Sequence, residues 1–134
     1  MTRLITLAAA LALTLAACAS PGASTAAGGH EGHGAAPPPA VEGAPETALT
    51  AKAFAYEPAT LTLWPGQPVN IALTSTDMVH DFTIDGQDFH LTADPGKTAT
   101  GALTIAQPGT YTAYCTVPGH REAGMEATVT VAPS

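Results

Sequence analysis

The chain has 134 residues, enough for one ordinary domain, and it is acidic, with 11 Asp and Glu against 4 Lys and Arg. So few basic residues argue against a nucleic-acid-binding protein, because contact with a phosphate backbone requires Lys and Arg. The two cysteines, Cys18 and Cys115, could form one disulfide, but each has a separate local explanation.

Residues 1–17 have the pattern of an export signal. Arg3 gives a positive start, and the apolar run over 4–17 is too short for a convincing bilayer-spanning helix. The run ends in the sequence LAAC, which resembles the lipobox of bacterial lipoproteins and implies cleavage before Cys18 and lipidation of that cysteine. The alternative is an ordinary secretory peptide cut at the A-C-A triplet of 17–19. We predict an exported protein, lipid-anchored to the cell membrane or outer membrane and facing the periplasm or extracytoplasmic space.

Residues 18–45 are dominated by small residues and proline, and Val41 is their only large apolar residue. Such a segment buries too little surface to offset the entropy of ordering it, so we predict a disordered Gly/Ala/Pro linker. His30 and His33 lie within it. A short His-containing tract can capture a metal ion, but the favoured interpretation is two exposed histidines without a specific role.

Residues 46–134 have a different pattern, in which short alternating stretches are broken by Pro and Gly. No stretch keeps a helical period over a dozen residues, so we predict an all-β domain of about eight strands, a sandwich or a barrel. The predicted strands are 47–54, 60–64, 68–75, 80–85, 88–92, 98–105, 109–115 and 125–132.

Three metal-ligand side chains follow one another near the C-terminus. Four residues separate Cys115 from His120, and four separate His120 from Met125. A thiolate, an imidazole and a weak thioether are ligand types of a mononuclear blue-copper electron-transfer site, which also requires a second histidine.

Alternation along the strands identifies that histidine. In three predicted strands a candidate ligand shares its face with apolar side chains and is therefore expected to point inward. These inward candidates are Cys115 at the end of one strand, Met125 at the start of another and His80 at the start of a third. We therefore predict one copper ion, cycling between Cu(I) and Cu(II), held by His80, Cys115, His120 and Met125.

The residues around these ligands resemble the cupredoxin family of small type 1 blue-copper proteins. The resemblance rests on F-A-Y-E-P at 54–58, T-D-M-V-H-D-F at 76–82, G-T-Y at 109–111 and C-T-V-P-G-H-R-E-A-G-M at 115–125. The C-x4-H-x4-M loop is similar to that of long-loop members such as auracyanin, rusticyanin and sulfocyanin. The resemblance implies an eight-stranded Greek-key β-sandwich with His120 near the surface in an apolar patch.

Two branches of the family fit this sequence less well. The binuclear copper centre of cytochrome oxidase has a second cysteine in this loop, which is absent here, and copper nitrite reductases need a second domain. Family members often have Asn or Ser directly after the first histidine ligand. Asp81 stands there in this chain, which leaves the hydrogen bonding around the site open.

The predicted function is single-electron transfer at a membrane surface, and not enzyme catalysis, because the pattern offers no open coordination position and no acid–base pair. The expected partners are a redox donor and a redox acceptor, a cytochrome or an oxidase-like protein, and we expect a monomer. Arg121 and Glu122 either flank the docking patch or are solvated loop charges. The alternatives are a copper carrier or chaperone that collects the ion with His30 and His33, and an interaction module that has lost its metal.

Overall fold

The computed structural model describes residues 37–133, so the predicted signal, Cys18, His30 and His33 lie outside the described residues. The described residues form nine strands: β1 (Glu46–Lys52), β2 (Ala55–Glu57), β3 (Thr60–Leu63), β4 (Val69–Ser75), β5 (His80–Ile84), β6 (His90–Ala93), β7 (Thr98–Leu103), β8 (Gly109–Tyr114) and β9 (Glu126–Val131). Between residues 37 and 133 there is no helix long and apolar enough to cross a membrane.

The strands form two sheets, ordered β2-β1-β4-β7 and β3-β9-β8-β5-β6. β1 is parallel to β4 and β3 is parallel to β9, whereas the other pairs are antiparallel. Buried side chains from both sheets, such as Leu49 and Ile71 from the first and Phe82 and Val129 from the second, form one hydrophobic core. The predicted all-β sandwich is therefore confirmed.

The structure has one strand more than predicted, because the chain reverses near the end of the predicted strand 47–54 and forms a short strand over 55–57, which was not predicted. β1 ends at Lys52, and Ala53 and Phe54 adopt positive φ angles of 48° and 64°. Positive φ is uncommon outside glycine, and neither residue has the chemistry of a typical turn, so local sequence gives little sign of this reversal. The chain then returns as β2, antiparallel to β1.

Cys115 and Met125 each lie one residue beyond a strand. β8 ends at Tyr114 and β9 begins at Glu126, and the Cys115 N–H donates to the Met125 carbonyl oxygen at 3.2 Å. Both side chains are fully buried, as is His80 at the start of β5. The inward direction predicted from alternation is confirmed for all three.

Phe82 anchors β5 in the core, two residues after His80. Its ring is fully buried and meets the rings of Tyr56 and Phe89 edge to face, with centroids 5.2 and 6.5 Å away. Aromatic pairs in this geometry contribute beyond their buried area, so Phe82 fixes the strand that carries the first histidine.

Part of the predicted linker, residues 37–45, contacts the first sheet. The Asn70 side chain on β4 accepts a hydrogen bond from the Val41 N–H and donates one to the Val41 carbonyl oxygen, both at 2.9 Å. Three residues before Val41, the Pro38 carbonyl oxygen accepts a hydrogen bond from the Ala102 N–H on β7 at 3.0 Å. The chain is thus attached to the domain before β1 begins.

Candidate metal centre

Two imidazoles and one thiol converge at one end of the sandwich. One donor atom from each of His80, Cys115 and His120 lies within 4.8 Å of the other two. Cys115 Sγ is 3.4 Å from His120 Nδ1, and the two imidazole centroids are 5.0 Å apart. His80 and Cys115 are fully buried and His120 is only 6% exposed. The structure therefore brings together three of the four predicted ligands as a compact, covered group.

Met125, the fourth predicted residue, is held against this group by its backbone. Its N–H donates to the His120 carbonyl oxygen at 3.0 Å, and its own carbonyl oxygen accepts from the Cys115 N–H. The loop between them is closed by turns, in which the His120 N–H donates to the Val117 carbonyl oxygen at 3.0 Å. Because its side chain is fully buried, Met125 is placed as a covered neighbour of the two loop ligands.

The donor atoms suit a metal ion. His80 Nδ1 is a buried nitrogen without a hydrogen-bond partner among the described residues, an arrangement that is costly unless something else satisfies it. Burial raises the pKa of the Cys115 thiol, so a metal ion has to displace the thiol proton when it binds. Two imidazole nitrogens with one sulfur are a donor set that copper prefers, and these three residues are arranged as a copper site.

Asp81 holds Thr116, the residue after Cys115 in the ligand loop (residues 115–125). It is only 3% exposed, although alternation places it on the outer face of β5. Its carboxylate accepts the Thr116 N–H at 2.8 Å and the Thr116 hydroxyl at 2.6 Å. Its backbone N–H donates to Cys115 Sγ at 3.4 Å, and the Tyr56 hydroxyl donates to its carbonyl oxygen. The sequence left the hydrogen bonding of Asp81 open, and the structure assigns it to the loop beside the cysteine.

Two further residues contact the imidazoles and were missed as functional residues in the sequence. Asp77 Oδ1 lies 2.8 Å from His80 Nε2. Its carboxylate also accepts the Ala53 N–H at 2.8 Å, and that bond is the main reason that the pKa of Asp77 is lowered to about 2. The Phe54 ring meets the His120 ring edge to face, with centroids 5.0 Å apart. The motifs T-D-M-V-H and F-A-Y-E-P contain both residues, but spacing alone does not show these contacts.

An apolar surface patch surrounds the site, formed by Phe54, Met78 and Val79. Their exposed fractions are 39–40%, and they are three of the five large apolar side chains exposed between residues 37 and 133. Phe54 covers His120, and the other two directly precede His80. This arrangement agrees with the apolar surface near His120 that the family resemblance implied.

Arg121 is paired with groups of its own domain. Its Nε donates to Glu126 at 2.9 Å, its Nη2 lies 3.4 Å from Asp85, and its guanidinium lies 3.8 Å from the centroid of the Tyr114 ring. The hydrogen bond with Glu126 raises the pKa of Arg121. These contacts join the ligand loop to β9 and to the turn after β5, so Arg121 acts within the domain as a link to the loop.

Together, fold and site define a β-sandwich protein with a His-Cys-His copper site. The sequence model of the Cupredoxin-like domain family matches residues 6–131, and the chain belongs to this family.

The chain is similar to two auracyanins of known structure and to a curated oxidase subunit. Auracyanin B is 21% identical, with a TM-score of 0.62 over 73% of this chain and 97% of that one, a likeness in fold. Dithionite-reduced auracyanin from Roseiflexus castenholzii is 26% identical, with a TM-score of 0.55 over 68% of this chain and 100% of that one. Cytochrome c oxidase subunit 2 from Thermus thermophilus is 30% identical over 67 residues, which is 50% of each chain. The chain thus spans about half the length of this curated relative.

Proposed function

We propose that the protein is a single-electron carrier with one copper ion, which would be held by His80, Cys115 and His120 and more weakly by Met125. The observation that carries the proposal is the convergence of two imidazoles and one thiol within 4.8 Å. Bound copper supplies one-electron exchange between Cu(I) and Cu(II), which soft sulfur and imidazole donors together accommodate.

The residues around the donors keep their geometry fixed. The ligand loop is held at Thr116 by Asp81 and at its far end by the bond between Cys115 and Met125. A fixed donor set changes little between two oxidation states, which suits electron exchange. Cys115 is the single free cysteine of the described residues, which supports a site with one thiolate and one metal ion.

The patch of Phe54, Met78 and Val79 is the proposed contact surface for redox partners. An apolar surface over a nearly covered histidine lets a partner approach the site closely without a large desolvation cost. Likeness to an auracyanin solved in a dithionite-reduced state and to an oxidase subunit supports partners that are themselves redox proteins, such as a cytochrome or an oxidase. The excess of acidic residues favours a partner with a basic rim.

Addition of Cu(II) to the purified protein should produce an intense visible band from thiolate-to-copper charge transfer. The band should saturate at one copper per chain, bleach with ascorbate and return on reoxidation, because all predicted donors belong to one mononuclear site. A His90→Ala variant is the matched control. Both ring nitrogens of His90 are hydrogen-bonded to threonines, Thr83 and Thr92, at 2.8 and 2.9 Å. Because neither threonine is a proposed ligand, removal of the His90 imidazole should leave the band unchanged.

A colourless protein that gives up copper readily to a weak chelator would instead favour the copper carrier or chaperone. Such proteins exchange ions through accessible ligands, whereas His80, Cys115 and Met125 are fully buried. That burial is why electron transfer is the preferred proposal.

We further propose that a lipid on Cys18 holds the domain at a membrane on its extracytoplasmic side. Glu46 at the start of β1 pairs with Asn70, which also binds Val41, whereas the turn after β1 carries Phe54 onto His120. β1 has seven residues and so spans roughly 20 Å. The residues that directly precede β1 therefore join the domain at the end of β1 opposite the one near the copper site.

Cys18→Ser should move the protein from the membrane fraction to the soluble exported fraction. The copper band of the released protein should be unchanged, because Cys18 precedes the domain that carries the site. Cys115→Ser is the matched control with the same chemical change, and it should stay in the membrane fraction. Membrane retention of the Cys18→Ser protein would contradict the lipid anchor.

A further inference from the structure

We propose that Asp77 is a positioning residue that fixes the ring of His80 with Nδ1 toward the metal and lowers the reduction potential of the site. This inference rests on the copper site proposed above. Asp77 is not a metal ligand in this proposal, since it acts through the far nitrogen of the histidine.

The hydrogen bond to Asp77 selects the tautomer of His80. A carboxylate only accepts hydrogen bonds, so the contact of 2.8 Å between Asp77 Oδ1 and His80 Nε2 places the imidazole hydrogen on Nε2. Neutral His80 then has its lone pair on Nδ1. That nitrogen is the buried, unpartnered atom among the described residues, so the ring is prepared for a metal before one binds.

Asp77 is itself held in place by two backbone groups. Its Oδ2 accepts the Ala53 N–H at 2.8 Å, and its Oδ1 also accepts the Met78 N–H at 2.9 Å. These bonds connect the loop before β5 to the left-handed turn after β1. Because that turn carries Phe54 onto His120, one carboxylate stabilises the surroundings of both imidazoles.

The negative charge of Asp77 is expected to lower the reduction potential of the copper site. A carboxylate that accepts from the far nitrogen of a ligand imidazole makes the imidazole a stronger donor. A stronger donor and a nearby negative charge favour Cu(II) over Cu(I), which corresponds to a lower potential. Because His80 is fully buried, solvent screens its side of the contact little, whereas the Asp77 side chain is 29% exposed and its charge is partly screened.

Asp77→Asn tests the proposal, since it keeps the size of the side chain and removes the charge. Loss of such a partner typically weakens metal affinity about 10–100-fold. If Cu(II) affinity falls tenfold relative to Cu(I), the potential rises by about 59 mV. The measurement is a redox titration of the copper-loaded variants, followed through the visible band.

Asp94→Asn is the matched control. Asp94 follows Ala93, the strand partner of His80, so this variant loses the same charge at the same end of the domain. A shift for Asp77→Asn no larger than that for Asp94→Asn would overturn the proposal, because a general charge effect would then explain it.

A second measurement does not depend on copper or on the stability of the variant. Nitrogen-15 NMR of the metal-free wild-type protein should show His80 with its hydrogen on Nε2. A hydrogen on Nδ1 would overturn the proposal even if Asp77→Asn fails to fold. If the wild-type protein binds no copper, the electron-carrier function fails, while the NMR result still decides the tautomer.

Discussion

Cys115→Ser should abolish the intense visible band of the copper-loaded protein and leave the domain folded. The hydroxyl of serine is a harder donor than a thiol and does not ionise in this environment, so it cannot provide thiolate-to-copper charge transfer. The substitution is nearly isosteric at a fully buried position, and the new oxygen can still accept the Asp81 N–H. Visible absorption after Cu(II) addition measures the loss, and circular dichroism checks the fold.

Met125→Leu is the control for this prediction, because it changes sulfur chemistry at the neighbouring buried position. Leucine has nearly the same volume, so the core is preserved. A thioether is a weak copper ligand, so its loss should leave the intense band in place while altering the potential. An intense band in Cys115→Ser would show that the thiolate is not the chromophore. Loss of the band in Met125→Leu would show that Met125 is not a weak ligand.

The site could be anticipated from sequence because its signals are local. The C-x4-H-x4-M spacing identifies the ligand loop, and alternation in three separate strands predicts that His80, Cys115 and Met125 point inward. Pro and Gly mark several of the turns between strands, but the reversal at Ala53 and Phe54 has neither residue and was missed. The ligand assignment of these residues still rests on the experiments above.

The contacts that support the site could not be anticipated, since they join distant parts of the chain. Thr116 binds Asp81 although the two residues are 35 positions apart in the sequence, and Ala53 binds Asp77 across 24 positions. Alternation assigns each strand residue to a face but does not show what covers that face. Asp81 was accordingly expected opposite the core, and it is buried there by the ligand loop.

The attachment of residues 37–45 has a similar origin. Composition shows that this segment has few large apolar side chains, so burial of apolar surface contributes little to its packing. It is held instead by hydrogen bonds, from the Asn70 side chain to both backbone groups of Val41 and from the Ala102 N–H to the Pro38 carbonyl oxygen. A chain that begins at residue 46 would lose these hydrogen bonds.

Asp81→Ala should destabilise the metal-free protein by about 1.5–3 kcal/mol, the range for a hydrogen bond to a charged group. The variant removes both carboxylate bonds to Thr116 and leaves a gap at a position that is 3% exposed. Asp81→Asn should cost less than about 1 kcal/mol, because an amide oxygen still accepts the Thr116 N–H and its NH2 group can donate to the Thr116 hydroxyl. Denaturant unfolding measures both changes.

The same comparison shows whether Asp81 stabilises the ligand loop or only the strand. If the carboxylate holds Thr116 beside Cys115, then Asp81→Ala should also release copper faster than Asp81→Asn, since the loop carries three of the four proposed ligands and Asp81 binds it at this end. Asp88→Ala is the control, because Asp88 is exposed and lies just before β6, outside the ligand loop and its attachments. If Asp81→Ala has the same denaturation midpoint as Asp88→Ala and releases copper no faster, the loop is held by the bond between Cys115 and Met125 and not by Asp81.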